Sequence, residues 1–325
     1  MKSHHIDFDE KDINREHAEI GLPPVDVKVT HPEKHPVLHI ISYLVMGVLA
    51  LLALYFVSQL FFGKHERTGL EIIQQTLQDR QFWAAVGVGL VAQIVDGALG
   101  MAYGVTSSSF LLAVGATPIM ASGATHLAEV FTTGISGISH LRMGNVNRKL
   151  FFSLLIPGVV GGLIGTYVLS SIDGEVLKPW INGYLMLMGL YVFFKAFGQI
   201  KLRTEVKPSR VVPLALFGSF MDSTGGGGWG PIVTTTLVGS GHDPRTTIGS
   251  VNFAEFFLTM TIATAFFSIL DASVWMTVAG LVIGGLFAAP FAAYITRRLK
   301  AKLLMILVGA LISAISAFNL YRALT

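Results

Sequence analysis

Apolar and polar positions alternate along this chain in long blocks, not at the short period of a soluble helix or strand. Residues 38–62 form the first apolar run, about 25 residues long and enough to cross a bilayer core of roughly 30 Å. Residues 63–81 mix the two types, with Lys64, Glu66, Arg67, Glu71, Asp79 and Arg80, and predict a short amphipathic helix at the interface. Two sets of five apolar runs follow. The first set occupies 82–96, 103–115, 119–141, 150–171 and 180–198; the second occupies 211–222, 230–240, 247–270, 274–295 and 303–323. The opening two runs of each set are short. An arm of about 15 residues reaches roughly 22 Å at about 1.5 Å per residue, so each pair predicts broken or re-entrant arms.

The two sets are copies of one unit. At a constant offset of 126, Asp96 falls on Asp222, Gly100 on Gly226, Gly104 on Gly230 and Tyr103 on Trp229. Leu111, Gly115, Pro118, Gly123, Ala128, Glu129, Phe131 and Thr133 fall on Leu237, Gly241, Pro244, Gly249, Ala254, Glu255, Phe257 and Thr259. That is 11 identities in 38 aligned positions, where roughly three are expected by chance. The predicted organisation is a polar tail over 1–37, an extra transmembrane helix over 38–62, an interfacial linker over 63–81, a first repeat over 82–198, a basic linker over 199–210 and a second repeat over 211–325.

Composition agrees with the pattern. The chain is 52% hydrophobic and only 13% charged, about half the charge of a soluble domain. An all-α polytopic membrane protein is the expected class. The absence of cysteine excludes disulfides, thiolate metal sites and thiol nucleophiles. No aromatic-interleaved basic stripe points to nucleic acid. The tail before 38 is too long for the front of a cleaved signal.

Its histidines His4, His5, His17, His31 and His35, with His39, predict a solvated tail, because Pro32 and Pro36 interrupt the helix that would align three of them on a metal. Basic residues at 142–149, 199–210 and 296–302, and in the tail, mark cytoplasmic loops; the acidic turns at 172–179 and at Asp271 mark external ones. The order of basic and acidic turns is reversed between the copies. The repeats are therefore expected to insert upside down relative to each other, with the N-terminus cytoplasmic, the C-terminus external and a site near the bilayer midplane. The expected location is a bacterial inner membrane.

The candidate chemistry lies in the turns. The second reads Asp222-Ser-Thr-Gly-Gly-Gly-Gly-Trp-Gly-Pro231. Four consecutive glycines, each costing about 1 kcal/mol in a helix, mean irregular backbone, which survives at membrane depth only where it lines a cavity or is buried in protein. Its N–H groups offer an anion site. The candidate substrate-binding residues are Gly225, Gly226, Gly227, Gly228, Trp229, Thr234 and Asn252, with Gly100, Tyr103, Thr106, Ser107 and His126 in the first copy. The alternative is that glycines and hydroxyls serve only close helix crossing.

Asp96, Asp222, Glu129 and Glu255 are acids inside apolar sequence, expected to carry a coupling ion; the two aspartates alternatively cap free helix ends. His126 and Asn252 occupy equivalent positions three residues before the glutamates. His126 and Glu129 share a helix face, which suits substrate binding, a proton pair or a structural polar contact. A metal site is not expected, since too few ligands are found and the second copy has Asn252. Lys195 and Arg245 lie near run ends, leaving no cation at mid-depth.

The turns with their carboxylates, the short arms, the Gly-x-x-His-Leu-Ala-Glu and Gly-x-x-Asn-Phe-Ala-Glu helices and the doubled plan resemble the TauE/SafE sulfite exporter family over about residues 82–323. The resemblance implies a permease for sulfite, sulfonates or related small organosulfur anions. Gly225 to Pro231 follow the glycine-turn-then-proline pattern of that family, whereas Met101, Ala102 and Val105 depart from it. The expected function is secondary transport of a small sulfur-containing anion, ion-coupled by alternating access through proton or sodium. The other reading is a channel-like or cation-linked permease using the acids. No cofactor is expected. No nucleotide-binding, His-Glu-x-x-His or Gly-x-Ser-x-Gly motif supports ATP drive or an intramembrane enzyme.

Overall fold

A computed structural model describes residues 36–62, 68–99, 101–142, 144–198, 208–240, 242, 244–267, 269–270, 274–296 and 301–325. The polar tail, Gly100, most of the basic linker, Asp271 and most of the turn at 296–302 lie outside the described residues. Among the described residues the chain is helical, with no strand. The helices are α1 (Pro36–Phe62), α2 (Gly69–Gln78), α3 (Arg80–Leu99), α4 (Tyr103–Ala113), α5 (Pro118–Arg142), α6 (Arg148–Ser171) and α7 (Gly174–Lys195). They continue with α8 (Pro208–Gly225), a π-helical turn (Trp229–Thr234) leading into α9 (Thr235–Gly239), α10 (Pro244–Phe267), α11 (Val274–Thr296) and α12 (Ala301–Leu324). By length and composition, Arg148–Ser171, Thr246–Phe267 and Met305–Leu324 are apolar enough to cross a membrane, and Ile40–Tyr55 and Val274–Ala288 are shorter apolar helices.

Polar residues set several helix starts. Thr68 and Glu71 form a reciprocal capping box on α2, the Thr68 N–H reaching Glu71 Oε2 at 2.8 Å. Asn147 Oδ1 accepts from Leu150 N at 3.0 Å to open α6, and Asp173 Oδ1 accepts from Glu175 N at 3.0 Å to open α7. The described part of the interfacial stretch forms the short helix α2, which Asp79 closes, and Arg80 starts the first arm directly. The arms are also longer than their apolar cores suggest. At 20 residues, α3 extends about 30 Å, because polar and small residues at both ends join the helix.

The extensive helix pairings all join one repeat to the other: α3 with α11, α8 with α6, α5 with α10 and α7 with α12. Small residues make this possible. Gly161 lies against the Leu216 backbone and Gly165 against that of Phe220, so α6 and α8 run parallel. Gly280 lies against Phe82 and Ala85 and Gly284 against Val86 and Leu90, so α3 and α11 also run parallel. Positions related by the 126-residue offset meet at one point, where Thr133 Oγ1 and Thr259 Oγ1 are 3.5 Å apart. Helix α1 crosses the outside of α5 in the opposite direction, with Leu49 against Gly134 and Met46 Sδ 3.2 Å from Arg142 Nη2.

Candidate functional site

The two glycine turns meet in the middle of the bundle. A Cβ on Gly104 would lie 2.7 Å from Gly227 Cα and 3.0 Å from Gly226 O; one on Gly227 would run into the backbone of Gly104 and Val105. Gly226 has a φ of 69°, which glycine adopts without strain. Ser108 Oγ donates to Gly226 O at 2.5 Å, and Ser122 Oγ donates to Ser223 O at 2.6 Å. Tyr184 OH, from α7, donates to Gly227 O at 2.8 Å. The carbonyls freed by the four-glycine turn are thus taken up by side chains of the first repeat. Trp229 is fully buried; its indole N–H donates to Val251 O at 3.3 Å.

Asp222 fills the N–H side of that turn. Its Oδ1 accepts from Gly228 N at 2.7 Å and Trp229 N at 3.0 Å, and its backbone O accepts from Gly227 N at 3.0 Å. The donors read from sequence as an anion cradle therefore already hold a carboxylate, the protein's own. In the first turn, the equivalent backbone N–H, that of Tyr103, lies within electrostatic reach of Asp96. Capping, the alternative weighed for both aspartates, is a contact that Asp222 makes.

The other oxygen, Asp222 Oδ2, is 3.1 Å from His126 Nε2 on α5. His126 Nδ1 faces two acceptors, Ser122 O at 2.7 Å and Ser122 Oγ at 3.3 Å, whose own proton goes to Ser223. Nδ1 accordingly carries a proton, and the Nε2–Oδ2 contact is bonding only when one more proton, or a cation, sits between them. Glu129, one turn along α5, completes the cluster: one ligand atom each from His126, Glu129 and Asp222 lie within 4.8 Å of one another. These three side chains could hold a cation, a set that sequence spacing missed because Asp222 comes from the other repeat. Glu129 Oε2 is buried and has no hydrogen-bond partner among the described residues. Asp96 and Glu255 are within electrostatic range of Glu129. Four carboxylates and one histidine share this centre, so its charge balance depends on protons or a bound cation.

Of the remaining sequence candidates, Tyr103, Thr106, Ser107, Thr234 and Asn252 are buried, and Thr106 Oγ1 has no partner among the described residues. Gly225 packs on the Tyr184 ring, where a Cβ would lie 2.6 Å from Cε1. Gly100 lies outside the described residues. Sequence reasoning passed over Tyr184 and Ser122 as site residues, and it paired His126 with Glu129 alone.

A cavity of about 180 Å³ lies between α3, α4, α5 and α11, lined in part by Leu111, Met120 and Ala124. It ends within a helical turn of Ser108 and Thr125, which are 3.3 Å apart at the edge of the crossing. A second, apolar cavity of about 160 Å³ lies between α1, α5 and α10. Neither is lined by residues of the two turns.

No solved structure matches the chain. It is 41% identical over 242 residues to the probable membrane transporter protein YtnM of Bacillus subtilis, covering 72% of this chain and 80% of that protein. It is 26% identical over 165 residues to the probable membrane transporter protein ORF9 of a Sinorhizobium species, 49% of this chain and 61% of the relative. A probable membrane transporter protein of Haemophilus influenzae is 30% identical over 158 residues, 46% of this chain and 60% of the relative. A family model described as sulfite exporter TauE/SafE matches residues 84–319, which include both turns, His126, Asp96, Glu129, Asp222 and Glu255. On these grounds the chain is a membrane transporter of the TauE/SafE sulfite exporter family.

Proposed function

We propose that the protein is a secondary transporter of a small sulfur-containing anion, such as sulfite or a sulfonate, that moves with a proton by alternating access through the crossed turns. The observation that carries this reading is the Asp222 carboxylate seated on the backbone N–H groups of Gly228 and Trp229. A sulfonate or sulfite oxygen has the hydrogen-bonding needs of a carboxylate oxygen, so the resident carboxylate stands where the substrate oxygen would bind. A proton taken up by Asp222 weakens its hold on these donors and frees them for the anion. His126 Nε2 is placed to pass that proton, and Glu129 is the nearest further acceptor. Proton and anion thereby occupy the centre together, which moderates the repulsion of an anion by Glu129, Asp96 and Glu255.

The membrane topology belongs to the same proposal: two inverted repeats, each with a re-entrant pair, and α1 as an additional span. Helix α7 supplies a ruler. Tyr184 touches the turn at Gly227, and Lys195, 11 residues or about 16 Å further along α7, touches Thr235, eight residues beyond Gly227. The second arm thus runs from mid-bundle toward the α7 C-terminus, the side to which the basic 199–210 linker belongs, which supports a hairpin returning to its own side.

The test is uptake of sulfite, methanesulfonate and a carboxylate control into proteoliposomes with and without a pH gradient. Saturable uptake of a sulfur anion that responds to the proton gradient, with substrate counterflow, is expected. The concentration of carboxylates favours one competing reading, a cation-linked permease; sodium- or potassium-dependent flux without anion counterflow would establish that instead.

A further inference from the structure

We infer that Lys195, Thr235 and Tyr191 form a second anion-binding site, a waiting position for the transported oxyanion between the α7 end of the bundle and the crossed turns. The inference rests on the anion-transport reading. It starts from a cation that the sequence places at a helix end, where a lysine ordinarily reaches out to water. Lys195 turns inward instead. Its Nζ donates to Thr235 Oγ1 at 3.2 Å and lies 3.9 Å from Met101 Sδ, so it touches the arm of the second repeat and the turn of the first. Tyr191, one turn earlier on the same face of α7, lies within electrostatic reach of Thr235.

No carboxylate pairs with Lys195 among the described residues; the ion pairs found there are His126–Asp222 and Lys178–Glu175. Other described cations rest on rings or at exposed positions: Arg148 over Phe152, Lys302 over Phe197 and Arg322 over Phe318. Lys195 is therefore a partly buried ammonium whose contacts are a hydroxyl and a thioether, beside a phenol. A group of donors with one net positive charge and no resident anion fits a small oxyanion.

The position also suits a path. Thr235 Oγ1 is 3.4 Å from Met101 Sδ, and a Cβ on Gly230 would be 3.0 Å from Met101 Cβ. Gly230 adjoins Trp229, whose N–H holds Asp222. Lys195 thus stands a few residues from the donors that Asp222 occupies, without touching them. An anion held at Lys195 is near enough to move onto those donors when Asp222 leaves, while the ammonium offsets the carboxylates it approaches.

The test measures methanesulfonate and sulfite transport by the full-length protein in proteoliposomes of both orientations. Lys195→Gln is expected to raise KM about tenfold or more when the anion is offered on the α7 C-terminal side, with little change from the opposite side. Lys195→Arg should keep near wild-type KM, and Thr235→Val should raise it severalfold. An equal KM for Lys195→Gln and wild type on both sides overturns the inference. Loss of sulfur-anion transport in the wild type itself instead overturns the functional reading. Should Lys195→Gln not assemble, labelling of wild-type Lys195 by an amine reagent gives a second readout: methanesulfonate is required to protect it, and unprotected labelling rejects the site.

Discussion

The two turns are copies in sequence and unequal in structure. In the second, Asp222 is held by two backbone N–H groups and by His126 from the other repeat. In the first, the matching N–H of Tyr103 lies within electrostatic reach of Asp96, and the residue equivalent to His126 is Asn252, which cannot carry a proton at neutral pH. The second turn runs through four glycines; the first has Met101 and Ala102 where the second has Gly227 and Gly228. On the function proposed above, the second half handles the proton and the anion and the first half supports it. Met101 illustrates the support, since its side chain packs on Gly230 and Thr235 of the working half.

Exchanging residues between the turns is the direct way to break this contrast. The largest effect is expected at Gly227. Gly227→Met, which copies Met101, would drive a side chain into the Gly104–Val105 backbone, so little folded protein should reach the membrane by fluorescence size-exclusion. Met101→Gly should yield folded protein. Equal yields of the two variants would mean that the turns are interchangeable.

Asp222→Asn is next. The amide oxygen still accepts from Gly228 and Trp229, so the fold should persist while proton-linked uptake falls to background. Asp96→Asn should retain measurable uptake. In wild type, uptake is expected to follow an imposed proton gradient, because the proposed coupling runs through Asp222; in Asp222→Asn that profile should flatten. An unchanged profile would remove it from the coupling step.

His126→Asn makes the second half resemble the first. Loss of a hydrogen bond to a charged group predicts a fall in uptake of about 10- to 100-fold, with Asn252→His much milder. A milder loss in His126→Asn than in Asn252→His would reverse the assignment of working and supporting halves.

Much of this contrast could be read from the chain. The 126-residue offset located both turns, and the identities around Asp96 and Asp222 marked the residues that the fold brings to the centre. The contact between His126 and Asp222 could not be read, because it joins residues 96 apart through the swapped pairing of helices, and helical spacing reports neighbours on one helix only. Occupation of the turn's N–H groups by Asp222 was likewise ambiguous, since capping and ligand binding use the same N–H groups. Tyr184, Tyr191 and Lys195 did leave a signal: their i, i+7 and i+11 spacing sets them on one face of α7. Apolar neighbours on both sides hid it, and the position of Lys195 at the end of a run favoured the interfacial reading.

The smallest effect is the most local. Ala102 holds a φ of 94° at the start of α4, a left-handed conformation that costs an ordinary residue about 1–2 kcal/mol. Its counterpart Gly228 has a φ of −177°, so the two turns differ in path as well as composition. Ala102 is buried beside Tyr103 and Met101, so its methyl group also packs. Ala102→Gly removes the strain and the packing together, and adds chain entropy to the unfolded state. A net gain near 1 kcal/mol is expected, seen as a modest rise in thermal melting in detergent with uptake unchanged. A fall in stability would mean that the buried methyl matters more than the strain, making the first turn a packed support even at its most distorted residue.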